Sequence, residues 1–171
     1  MKALIITLRL IHILAAMFWF GGTIIMVRFV LPTARRLGPA GGPFIQGLTG
    51  EAKVPLTLTI AGWATILAGI VLMIIVSGRF DPAWARSPMG ITFSIGGALG
   101  LLAGLHGTVA MGPAGRRMGA IGQELAKSGG PATPAQVAEL NVLRDKLERH
   151  GGVTLLLLAG AAICMAIARY V

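Results

Sequence analysis

Apolar positions along the chain gather into four long runs separated by polar stretches rich in glycine, proline and arginine. The runs cover about Leu10 to Leu31, Val54 to Ser77, Met89 to Met111 and Val153 to Ala168, the last extended by Gly151, Gly152 and Tyr170 to about 151–170. Each is close to the ~20 residues that cross a hydrocarbon core of about 30 Å as helix. None shows the alternation of a barrel strand. A helix also pairs its own backbone groups, which lipid demands. Pro55 falls in the first turn of the second run, where a missing N–H does no harm, and Ser87 with Pro88 introduces the third. The pattern predicts an all-α fold: a four-helix transmembrane bundle forming a single integral membrane domain over residues 1–171.

Between the third and fourth runs the period changes. Thr133, Pro134 and Gln136 form a capping box with proline at the first helical position, and Val137, Leu140, Leu143 and Leu147 follow on one face. This predicts an additional amphipathic helix in the third loop, about 134–149. It lies against the bundle end or the membrane surface, or runs straight into the fourth span with a bend permitted at Gly151 and Gly152. Small residues at Gly96, Gly100 and Gly104, and at Gly62 and Gly69, offer narrow faces for close helix approach. The stretches LPTARRLGPAG, after the first span, and MGPAGRRMGAIG, after the third, echo each other. They record either two related helix pairs or convergence on an arginine pair that anchors a helix at the headgroups.

Composition agrees with a bilayer as solvent. Of 171 residues 55% are hydrophobic and only 12% are charged, with a mean hydropathy of +0.80. The net charge of +9 sits between the apolar runs, which excludes a nucleic-acid-binding surface. Arg28, Arg35, Arg36, Lys53, Arg116, Arg117, Lys127, Arg144, Lys146 and Arg149 fall on one side, ten against five for Lys2, Arg9, Arg79, Arg86 and Arg169. Lys/Arg excess marks the cytoplasmic face. The expected placement is a prokaryotic cytoplasmic membrane with both termini outward. The first run is too long for a signal-peptide core and no cleavage site follows it, so it is read as a retained helix. Cys164 is single and intramembrane, which leaves a lipid-facing or packed thiol.

All six acidic residues lie in loops or at span edges, which argues against a cation pump or proton relay built on carboxylates. No phosphate-binding loop, dinucleotide fingerprint or zinc motif occurs. Histidine is the informative type. An imidazole in hydrocarbon needs a partner: a carbonyl or hydroxyl on a neighbouring helix, water, a metal or haem. His12 lies near the outer end of the first span, His106 near the inner end of the third, and His150 at the inner mouth of the fourth. Spans one and three run the same way, so His12 and His106 sit at different depths, whereas His106 and His150 match. The candidate cofactor and metal ligands are therefore His106 and His150, with His12 as a separate site whose soft neighbours would be Met73, Cys164 and Met165. Arg116, Arg117 and Arg149 stand at the same face as the pair, and their forked donors suit haem propionates.

The segment RLIHILAAMFWFGG, with the following RFVLPTARR, resembles the first helix of the CopD-like and HemJ-like membrane protein superfamily. On that resemblance His12 corresponds to the family's first-helix histidine, and Trp19 with Gly21 and Gly22 to its aromatic-plus-glycine element. The resemblance implies copper handling, or bound haem linked to oxygen-independent protoporphyrinogen oxidation. The intramembrane lysine of HemJ-like proteins has no counterpart in the four spans. The expectation is a b-type haem-binding electron-transfer protein, or a small subunit of a respiratory or photosynthetic complex, rather than a freestanding enzyme. Its partners would be the lipid bilayer, other membrane subunits or a second copy, and quinone. The alternatives are a copper-handling or other membrane transport protein, and a cofactor-free structural subunit.

Overall fold

A computed structural model describes residues 2–171, with Pro39 described in its backbone alone. Four helices are long and apolar enough to cross a membrane: α1 (Lys2–Arg36), α3 (Val54–Val76), α5 (Pro88–Ser128) and α6 (Pro134–Ile167). Short helices α2 (Gly41–Gln46) and α4 (Pro82–Arg86) lie in the first and second connections. The chain is an all-α, multi-spanning integral membrane protein. Its lipid-facing shell is apolar, with Leu156 and Val109 left 75% and 73% exposed, as expected where lipid tails replace water.

Three helices run beyond the limits read from hydropathy, and prolines explain two of them. Pro32 and Pro113 do not end their helices. A proline ring inside a helix clashes with the carbonyl four residues back and removes one N–H. Here the backbone widens into π turns at Met26–Val30 and Gly107–Met111, the five-residue spacing appearing as Leu31 N–H to the Met26 carbonyl and Gly112 N–H to the Gly107 carbonyl. In both cases the carbonyl four residues before the proline lies within the turn, and the helix continues. α5 therefore reaches Ser128, where Gly129 closes it in the left-handed region at φ 64°. The third connection shrinks to residues 129–133. The amphipathic segment is not a separate element. It is the first half of α6, begun by the expected capping box of Thr133 and Gln136 and unbroken at Gly151 and Gly152.

Two cores result. In the apolar layer Trp19, Ile66, Ala103 and Leu158 pack together from all four long helices. Beyond it, Leu31, Ala34, Ile45 and Met118 form a second cluster, closed by Leu140, Leu143 and Leu147 from the amphipathic half of α6. The second cluster uses the stripe that the sequence placed on one helix face. Two buried hydroxyls bond within their own helices, Thr23 to the Trp19 carbonyl at 2.6 Å and Thr65 to the Ala61 carbonyl at 2.8 Å.

The closest helix pairings are α1 with α3 and α5 with α6, so the bundle is two hairpins side by side. The echo between them is structural as well as sequential. Each hairpin's first helix carries a π turn, then a proline, then an arginine pair at the same spacing: Pro32 with Arg35 and Arg36, Pro113 with Arg116 and Arg117.

Candidate functional site

The six candidate residues fall in four places. His12 belongs to the first hairpin. Its Nδ1 lies 2.8 Å from the Thr65 carbonyl of α3. The ring rests on Gly69, where an added Cβ would stand 2.8 Å from Cε1. The glycine is there because imidazole occupies the space of its side chain. Trp19, two turns on, lies over Gly62 in the same way, 2.9 Å from where a Cβ would be. The first-helix motif thus packs α1 on α3.

His106 and His150 come together in the second hairpin, as their common depth implied. His106 Nε2 is 3.1 Å from His150 Nδ1, with the ring centroids 5.1 Å apart and the planes inclined at 49°. The other nitrogen, His106 Nδ1, is 3.0 Å from Thr154 Oγ1. That hydroxyl is buried, 2% exposed at the residue, and reaches Met111 Sδ at 3.7 Å. Thr154 was missed in the sequence, although it stands one helical turn after His150 and so on the same face of α6.

The arginines separate. Arg117 is engaged by Glu139 through two hydrogen bonds of 2.6 and 2.9 Å. This pair lies beyond the apolar layer, where the hydrogen bond from Arg117 holds the Glu139 carboxyl below its usual range. Arg149 shares a polar surface pocket with His150, Asp145 and Lys146. Arg35 bonds Asp145 at 2.7 Å, so arginines from both hairpins tie down the polar half of α6. Arg116, itself exposed, lines a cleft.

What Arg116 faces is a cleft of about 640 Å³ between the two hairpins. Its wall is mostly apolar, with Trp19 and Trp63 at one end, the π turns of α1 and α5 along its sides, and Arg116 and Gln123 toward the polar end. Gly107 has nothing within 4 Å of its missing Cβ, so the cleft includes that space. The lining residues that stay exposed, Pro55, Leu56, Thr59, Thr108, Arg116 and Gln123, all belong to α3 and α5. The mouth therefore opens between those helices. Thr154 and Met111 are on the wall; none of the three imidazoles is.

The histidine pair as arranged does not fit axial ligation of haem. Two imidazole nitrogens holding one iron from opposite sides stand about 4 Å apart, twice a metal–nitrogen bond of roughly 2 Å. The observed 3.1 Å is a direct hydrogen bond between the rings. Among the described residues no group of three or more His, Cys, Asp or Glu side chains is placed to hold a metal ion. Comparison with protein-family models, with curated proteins and with solved structures finds no match.

Proposed function

We propose that this protein is a membrane transport protein for a lipid-soluble ligand with an acidic head, taken laterally from the bilayer. The observation that carries the reading is the cleft. Its size and apolar wall are those of a small-molecule site, and its place between two parallel hairpins is where repeat-built transporters bind their cargo. Among the described residues Arg116 offers the guanidinium on that wall, suited to a carboxylate head, while Trp19, Trp63 and Leu58 suit an apolar tail. This reading is preferred to haem-binding electron transfer because the histidine pair is closed on itself and off the cleft wall. Kinship with CopD-like and HemJ-like proteins is proposed on residues 10–36 alone.

The test uses cis-parinaric acid, a fluorescent polyene fatty acid that accepts energy from tryptophan. Saturable transfer from Trp19 and Trp63 is expected in protein-bearing nanodiscs. Arg116→Gln should weaken it about tenfold, a loss of about 1.4 kcal/mol, modest because the guanidinium is partly in water. The methyl ester should bind the wild type as weakly as the acid binds the variant. Equal binding of acid and ester would rule out the head-group role, and no saturable transfer would rule out the cleft as the site.

Placement follows from the charge asymmetry. We propose that the arginine-rich end is cytoplasmic and both termini face outward in a prokaryotic inner membrane. With Cys164 replaced by alanine, a cysteine at Arg79 should react with an impermeant maleimide in intact cells, and one at Ser128 only after lysis. The reverse pattern would invert the topology.

A further inference from the structure

Resting on the cleft reading, we infer that His150, His106 and Thr154 form a proton relay from the polar surface pocket to the cleft wall, and that the ligand is neutralised there. The juxtaposition is a row of hydrogen bonds with an aqueous end and an apolar end. His150 lines the pocket with Asp145, Lys146 and Arg149. His150 Nδ1 meets His106 Nε2 at 3.1 Å, and His106 Nδ1 meets Thr154 Oγ1 at 3.0 Å. Thr154 stands on the cleft wall beside Met111.

The chemistry of the last link sets the direction of the others. A thioether has no hydrogen to give, so Thr154 donates to Met111 Sδ. Its oxygen then accepts from His106 Nδ1–H. A neutral His106 protonated at Nδ1 has a lone pair at Nε2, which accepts from His150 Nδ1–H. His150 is left with a lone pair at Nε2 for water in the pocket. Every donor in the row points from pocket to cleft. The charged groups near it are Asp145, Lys146 and Arg149 at the pocket and Arg116 on the cleft wall. α1 packs Val27 on Gly151.

The transfer balances without a redox partner. A proton from pocket water binds His150 Nε2, and the Nδ1 proton of His150 passes to His106 Nε2. The Nδ1 proton of His106 passes to Thr154 Oγ1 as the threonine's own proton leaves the sulfur for the ligand carboxylate. The acid formed no longer binds Arg116 as an ion and moves into the apolar end of the cleft. Both rings finish as the opposite tautomer and reset when the proton returns. The ligand class is therefore a weak acid, and its entry into the apolar end of the cleft takes up one proton from the pocket.

Two measurements test the relay. The first needs no ligand: in ¹⁵N-histidine NMR of the nanodisc protein at about pH 8, where free imidazole is neutral, His106 and His150 should both carry the proton on Nδ1. An Nε2-protonated form of either ring overturns the relay whether or not the cleft binds anything. The second mixes cis-parinarate with the protein in weak buffer containing a pH dye, following tryptophan energy transfer and proton uptake together. His106→Gln and His150→Gln keep hydrogen-bonding side chains off the cleft wall, so both should bind the probe normally while proton uptake slows at least tenfold. Wild-type uptake rates in both variants, or binding without uptake in the wild type, overturn the relay and leave the cleft reading standing. Absence of probe binding removes the cleft reading and leaves the relay to the tautomer result.

Discussion

Gly41→Ala is expected to destabilise the protein by about 2–4 kcal/mol, while Gly42→Ala next to it is neutral or stabilising. The contrast is steric. A Cβ at position 41 would fall on the Ala34 carbonyl. Gly41 has φ −67°, so its backbone would tolerate a side chain; only the space is missing. Ala34 is 1% exposed in the extramembrane core, and the carbonyl belongs to helix backbone that cannot swing aside. Relief requires α2 to lift away, taking Ile45 from the cluster with Leu31 and Met118. Overpacking of this kind typically costs about 1–3 kcal/mol, and lost apolar packing adds to it. At position 42 nothing lies within 4 Å of the added methyl, and alanine is favoured over glycine in helix by up to ~1 kcal/mol. Thermal unfolding in detergent compares the two. Matching melting points would mean that α2 does not seat on α1 as described.

Trp19→Ala should be comparably severe, at roughly 3 kcal/mol, and should also disturb the cleft. The indole is 8% exposed, packs with Ile66, Ala103 and Leu158, and covers Gly62. Buried Trp→Ala changes in soluble cores cost about 3–5 kcal/mol. The lower figure applies here because lipid tails are as apolar as the side chains they replace, so the loss is mainly of packing. Trp19→Phe, which keeps a ring over Gly62, should cost less than about 1.5 kcal/mol. Each variant is read by unfolding and by cis-parinarate binding. An alanine variant as stable as the wild type would remove Trp19 from the role of keystone between the four helices.

The spans were legible because an unbroken run of about twenty apolar residues suits a membrane-crossing helix and little else. Their ends were not. Pro32 and Pro113 look like breakers in one dimension, but neighbouring helices hold the chain in line and a π turn absorbs the missing donor. The protruding half of α5 carries Arg116, Arg117 and Glu124, so hydropathy could not announce it. The meeting of His106 with His150 followed from counting helical rise, whereas their mutual hydrogen bond and the continuation to Thr154 depended on side-chain directions that spacing alone leaves open. The cleft was the least visible feature. Gly104 and Gly107 read alike in sequence, yet one accommodates Ile66 and the other opens on empty space.

The paired π turns have a consequence for the charges beyond them. Each holds one residue more than an α turn, which sets the phase of the following helix about 100° behind that of an uninterrupted one. Arg116 meets the cleft and Arg117 meets Glu139 because Pro113 imposes that offset, and Arg35 meets Asp145 because Pro32 does the same. The prolines thus act as phase shifters. Upstream, each helix keeps the periodicity that its lipid and helix neighbours require; downstream, the same helix presents its arginines on a schedule of its own.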